Sequence, residues 1–342
     1  MSWRISILIL IFVFIACKQN QNFTTNESVE ENYLIEAEEL KSIINKNHNI
    51  KIIDFRKKEF YENEHIIGAL NIWRLDIEDR SYDYNGMMAS TTQIEKLFGD
   101  LGIENNDTLI IYDDNGLCDS ARLWWLLQNY DFTNVKLLNG GLKSWKTLNG
   151  EVSNEIPILK KTIFKLNENP KMRFYVSKEE MQTALQTNTL ILDTRSIDEF
   201  TGERQKRGAM KGGRIPNSIH IDWSDAINYE GDKKLKRIID LETIYNQLKT
   251  DKNNPVIVYC HSGVRSAHTT FVLTQLLGYK NVVFLMLFGF VWHFIPENGI
   301  NRLEKGFNAV PIYIKAILLG FVFWIVYATA SSGPQPFIYF QF

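Results

Sequence analysis

Pro255-Val-Ile-Val-Tyr-Cys260-His-Ser-Gly-Val-Arg265-Ser-Ala267 is the stretch that decides the fold. Val256 to Tyr259 is a short, β-branched apolar run behind a proline, the pattern of a strand buried in a parallel sheet. Ser266 to Leu277 mixes apolar, small and hydroxyl residues and stops at Gly278, which predicts a helix with a glycine end. Cys260 therefore sits at the carboxyl end of a strand, on a tight loop that opens a helix. Loop amides and a helix N-terminus converge on such a position and favour negative charge there. A thiol at that point is expected to ionise below the ~8.5 of a free cysteine. Arg265 adds a positive charge at the far end of the loop, and Gly263 allows a backbone conformation that a Cβ would resist. The spacing separates two chemistries. A Cys-x5-Arg loop is wide enough for a phosphate, whereas Cys260-x4-Arg265 is one residue shorter, and its tighter ring of amides suits a single sulfur atom carried on the cysteine. A phosphatase or arsenate reductase built on the same cysteine is the weaker alternative.

Working outward, strand and helix patterns alternate from Leu34 to about Lys146, as in an α/β domain with a parallel sheet. The expected elements are a helix over Ala37 to Asn45, strands at Lys51 to Arg56 and Ala69 to Ile72, and a helix over Thr91 to Leu101. A strand at Thr108 to Tyr112, a helix from Ala121 to Tyr130 and a strand at Val135 to Leu138 follow. The pattern then repeats. Leu190-Ile-Leu-Asp193-Thr-Arg195 answers Ile52-Ile-Asp54-Phe-Arg56, and Val256 to Tyr259 answers Leu109 to Tyr112. The Asn-, Lys-, Glu- and Pro-rich stretch 150–171 reads as the linker. The copies differ where the chemistry would be, because Asp113 stands where Cys260 stands in the second, and a carboxylate cannot carry a sulfur.

The Cys-His-Ser-Gly-Val-Arg loop after Val-Ile-Val-Tyr, the Asp-x-Arg pairs, Ala121-Arg-Leu-Trp-Trp125 and Asn139-Gly-Gly-Leu-Lys-Ser-Trp145 resemble the tandem sulfurtransferases of the rhodanese family, over roughly residues 34–283. The resemblance implies two rhodanese-like domains of parallel sheet flanked by helices, a silent one at 34–149 and a catalytic one at 172–283. It implies a Cys260 persulfide formed from thiosulfate or 3-mercaptopyruvate and passed to a thiol or cyanide in two half-reactions, without metal or organic cofactor. His261, Ser262, Gly263, Val264 and Arg265 form the substrate loop, and Arg195 either braces that loop or touches substrate. Glu199 occupies a place where some members carry a substrate-binding arginine. Arg204, Lys206, Arg207, Lys211 and Arg214 follow it and offer positive charge instead.

With 38 basic against 40 acidic residues, nothing in the charge balance points to nucleic acid. Its 3 cysteines, Cys17, Cys118 and Cys260, make no disulfide framework. The unusual parts are the two apolar ends. Met1 to Cys17 reads as a signal sequence whose Phe14-Ile-Ala-Cys17 ending resembles a bacterial lipobox, with Cys17 lipidated and residues 18–33 as a tether. That places the protein in a bacterial cell envelope, membrane-anchored and facing the periplasm. Residues 284–342 form an apolar helical tail, with Ile312 to Ala330 long enough to cross a bilayer. His293-Phe-Ile-Pro-Glu-Asn298 and Gln335 to Phe342 resemble the C-terminal end of bacterial membrane-bound O-acyltransferases. The resemblance implies a junction near Val283 that leaves the second domain incomplete, so a tethered, non-catalytic binding module is the other alternative.

Overall fold

Parallel strands and covering helices are what the repeated pattern asks for, and the computed structural model contains them. It describes residues 33–44, 46, 49–82, 86–187, 189–207, 209 and 211–280. The expected signal and lipobox, nearly all of the tether, and the tail at 284–342 with its acyltransferase-like motifs lie outside the described residues. Among the described residues, no helix is long and apolar enough to cross a membrane.

The first repeat runs β1 (Leu34–Ile35), α1 (Ala37–Ile43), β2 (Ile50–Asp54), α2 (Lys58–Asn63), β3 (His65–Ile66), β4 (Leu70–Asn71), α3 (Thr91–Asp100), β5 (Thr108–Tyr112), α4 (Ser120–Asn129), β6 (Val135–Leu138) and α5 (Gly141–Thr147). Its sheet has the order β1-β6-β5-β2-β4, and every pairing is parallel. Ile52 and Ile110 face one apolar cluster and Ile53 and Ile111 the other, which is why these strands read as continuous apolar runs. Within the linker, β7 (Val152–Ser153) pairs antiparallel with β3. Two residues are too few to leave a periodic signal, so composition alone marked the whole stretch as connection.

The second repeat carries α6 (Lys178–Ala184), β8 (Leu190–Asp193), α7 (Ile197–Thr201), β9 (Ile219–His220), α8 (Ile238–Tyr245), β10 (Val256–Tyr259) and α9 (Val264–Phe271), with the parallel order β10-β8-β9. A capping box starts α6: the Ser177 hydroxyl accepts from the Glu180 amide, and the Glu180 carboxylate accepts from the Ser177 amide. Helix α9 begins two residues before the expected Ser266. Gly263, in the left-handed region at φ 78°, turns the chain directly from the loop into the helix. A π-helical turn, Val272–Leu276, follows, and Gly278 at φ 69° ends the run as expected.

The repeat extends to individual hydrogen bonds. In the first copy Arg56 donates Nε to Asp54 Oδ1 at 2.9 Å and Nη2 to Oδ2 at 2.6 Å. The Tyr112 hydroxyl donates to the same carboxylate at 2.5 Å and accepts from the Ile66 amide at 3.1 Å. Arg195 grips Asp193 at the same two distances, 2.9 and 2.6 Å. Tyr259 donates to Asp193 at 2.6 Å and accepts from the Ile215 amide at 3.1 Å. Both braces sit at strand ends and hold the loops that leave them.

The repeats pack helix on helix. α4 lies against α9, with Trp124 edge-on to Phe271 at 5.0 Å, and Phe271 is buried in the first repeat's core cluster. Polar links reinforce this: Glu36 accepts from Lys234 Nζ at 2.7 Å and Asn139 Nδ2 at 2.6 Å, and Asn139 accepts from the Leu235 amide at 3.0 Å.

Candidate active site

Parallel pairing of β10 with β8 matches Tyr259 to Asp193, so Cys260 emerges just past the sheet beside the Asp193–Arg195 brace. Its side chain is 9% exposed. Burial alone would raise the thiol's pKa. The Arg265 charge, the Ser266 hydroxyl and the amides of Ser266 and Ser262 outweigh it, and the thiol is held below its ordinary value. The Ser266 hydroxyl lies 3.5 Å from Sγ.

The silent repeat shows what this loop binds. Asp113 Oδ1 accepts from the amides of Asn115 at 2.9 Å and Leu117 at 3.0 Å, and Oδ2 from Asp119 at 2.9 Å and Ser120 at 2.7 Å. Asn115 stands two residues after Asp113, as Ser262 stands two after Cys260, and Ser120 and Ser266 each stand immediately before an alanine, Ala121 and Ala267. The carboxylate in one copy and the sulfur in the other face matching amides. The first loop holds a covalently attached carboxyl group, whose pKa burial and the neighbouring Asp119 raise to about 6; the second presents its amides to the Cys260 sulfur.

Arg265 does not face the loop mouth as a free charge. It donates Nη1 to Glu199 Oε2 at 2.6 Å and Nη2 to Oε1 at 3.1 Å, a bidentate pair. Ser196 and Arg204 also donate to Glu199 Oε2, at 3.1 and 3.3 Å. Burial tends to raise the Glu199 carboxyl, but the Arg265 hydrogen bond and charge hold it down at about 2. Arg195 is committed in the same way, to Asp193 and, through Nη2, to the Gly213 carbonyl at 2.8 Å.

Among the cations at 204–214, Arg204 pairs with Glu199, and Lys206 interacts electrostatically with Arg265, Glu199 and Cys260. Burial and the neighbouring Arg265 lower its pKa, while Glu199 and Cys260 oppose that. His261 is lowered by burial and by Lys206. Cys118 packs against Val264 and Trp223 and is 2% exposed; burial, then Asp119 and Asp113, push its thiol well above the ordinary value, so it stays neutral. Reading the sequence picked out Cys260 and its loop but missed the Ser266 hydroxyl and the Glu199–Arg265 pair. The only sequence signal for that pair was the unexpected acidic residue at 199.

A thiol whose pKa is lowered by Arg265, the Ser266 hydroxyl and loop amides, at the end of a parallel strand in one of two copies of an α/β domain, is suited to nucleophilic chemistry on sulfur. The chain belongs to the rhodanese-like domain family, which matches residues 36–148 and 177–292. A Mycobacterium bovis relative named as a thiosulfate sulfurtransferase is 32% identical over 250 residues, covering 71% of this chain and 75% of its own length. One from Saccharopolyspora erythraea with the same activity in its name is 33% identical over 229 residues, covering 65% and 79%. Among solved structures, SseA from Escherichia coli, a 3-mercaptopyruvate enzyme, superposes with a TM-score of 0.63 at 24% identity, covering 71% of this chain and 94% of its own. An ergothioneine biosynthesis enzyme from Chlorobium limicola gives 0.63 at 20% identity, covering 74% and 66%. The protein is a sulfurtransferase.

Proposed function

We propose that Cys260 carries the transferred sulfur as a persulfide and that thiosulfate is the donor. The Cys260 thiolate attacks the outer sulfur of thiosulfate; a new S–S bond forms, the thiosulfate S–S bond breaks, and sulfite leaves with the electron pair. A thiolate or cyanide then attacks the outer sulfur of the persulfide and releases the Cys260 thiolate, giving ping-pong kinetics. The observation that carries this reading is the lowered thiol in an amide cradle whose counterpart binds the Asp113 carboxylate. The thiosulfate names of the relatives support the choice of donor. His261, Ser262, Gly263 and Val264 form the wall that receives the donor. Arg265 shapes it while paired with Glu199, and Arg195 braces it from behind.

The test is intact mass after thiosulfate treatment. One added sulfur atom, lost again on adding cyanide, is expected; a folded protein that gains none overturns the reading.

With Arg265 and Arg195 both engaged by carboxylates, Lys206 supplies the charge that meets the dianionic donor. Lys206→Met is expected to raise KM for thiosulfate about tenfold, with kcat changed far less. Steady-state kinetics check it, and an unaltered KM rules Lys206 out. We further infer an envelope location, supported by the apolar run Ile5 to Ala16 ahead of Cys17 and by the apolar, acyltransferase-like tail, which would act as a second anchor.

A further inference from the structure

The repeats exchange one side chain each. Arg122 is the third residue of the Ser-Ala-Arg run that opens α4, and His268 is the third of Ser-Ala-His in α9. Arg122 crosses to the second repeat's loop: a Cβ placed on Gly263 would lie 2.7 Å from Arg122 Nη1. His268 crosses the other way: the backbone of Gly116, in the silent loop, acts on its buried ring, whose nitrogens make no hydrogen bond among the described residues. Equivalent positions thus reach the equivalent glycine of the opposite copy. The silent loop receives a neutral imidazole, its pKa lowered to about 4 by burial. The loop with the cysteine receives a guanidinium.

Arg122 is 5% exposed, and no carboxylate among the described residues lies within ion-pair distance of it. Its Nη2 donates to the Gly86 carbonyl at 2.7 Å, and its guanidinium stacks over Trp125 at 4.6 Å. Gly86 itself abuts Ser262, since a Cβ there would lie 3.0 Å from the Ser262 carbonyl oxygen. Arg122, Gly263 and Ser266 border one cavity of ≈ 70 Å³. A buried cation is costly unless something anionic compensates it. The ionisable groups that act on Arg122 are Cys260, Glu78, Tyr130 and the repelling Arg74; those that act on Cys260 are Arg265, Lys206, Arg122 and the neutral Cys118.

We propose that Arg122, carried by the repeat that lacks the cysteine, is a positioning residue for sulfur transfer: from behind Gly263 it fixes the active loop and favours the anionic form of the Cys260 sulfur. The silent repeat is then a working part of the site. This rests on the reading of Cys260 as the sulfur carrier.

The experiment is the pH dependence of iodoacetamide alkylation at Cys260, mapped by peptide mass, in the full chain and three variants. Arg122→Met is expected to alkylate about tenfold more slowly at pH 7, with its midpoint moved to higher pH. Arg122→Lys, whose shorter reach keeps the charge but not the forked geometry, falls between. His268→Met disturbs the same interface at the reciprocal position and is expected to leave the Cys260 curve where it was. Superimposable curves for wild type and Arg122→Met overturn the proposal, as does an equal shift in His268→Met, which would mean general damage to the interface. If Arg122→Met does not fold, the lysine variant decides: a shift in the same direction supports the proposal and an unmoved curve overturns it. Alkylation needs no sulfur donor, so failure of wild type to form a persulfide would sink the proposed function while leaving this comparison readable.

Discussion

Cys260→Ser is expected to lower thiosulfate:cyanide turnover by at least about 10³-fold, while the fold survives. The loss follows from the atom replaced. A serine hydroxyl is neutral across the working pH range and cannot hold a sulfane sulfur, so both half-reactions lose their carrier. The fold is retained because the change is nearly isosteric and because the cradle tolerates another atom at this point: the first repeat puts the Asp113 carboxylate there, bound by four amides at 2.7 to 3.0 Å. Cys118 offers no substitute nucleophile, since it is buried behind Val264 and held neutral. Steady-state turnover beside thermal unfolding of the same preparation checks the prediction. More than a tenth of wild-type activity in a folded Cys260→Ser protein would place the chemistry on another residue.

Glu199→Gln is expected to cost about 3–5 kcal/mol of stability at pH 7, because it leaves the Arg265 charge unmatched inside the site. Glu199 is 2% exposed and receives both arms of the Arg265 fork. The same pair sets a pH dependence. The carboxyl is held at about 2 in the folded protein against an ordinary 4.5, a depressed value. Its contribution is therefore complete above about pH 4.5 and is lost as the pH falls toward 2, to the extent of about 3 kcal/mol. Denaturant unfolding between pH 7 and pH 3 should show wild type losing stability through that window and Glu199→Gln losing less. Donor binding should move the other way, because Arg265, no longer neutralised, can meet thiosulfate: KM is expected to fall several-fold. A stability loss below about 1 kcal/mol at pH 7 would show that Arg265 finds another partner.

The opposed signs follow from the pairing of Arg265 with Glu199, which the loop sequence alone does not show. The loop sequence establishes that a cation stands five residues after the cysteine. It says nothing of the carboxylate that approaches from α7, 66 positions earlier in the chain. The unusual acidic residue at 199 was visible, but its partner was not, because pairing at that separation depends on how α7 and α9 lie against the sheet. Similarly, Ala121-Arg-Leu-Trp-Trp125 was legible as a family signature, while the crossing of Arg122 to Gly263 was not.

The chain by itself determined the repeated α/β architecture, the parallel strands, the Asp-x-Arg braces and the cysteine at a strand end. Each of these rests on local pattern: apolar runs at strand length, helical spacing, and residues within a few positions of one another. Only the tertiary structure decided which charges act on that cysteine. It paired Arg265 with Glu199, brought the Lys206 charge into the electrostatic surroundings of Cys260, and set Arg122 from the other repeat against the active loop. Electrostatics depend on distance in space, and the α4–α9 packing that sets those distances is absent from any local stretch of sequence.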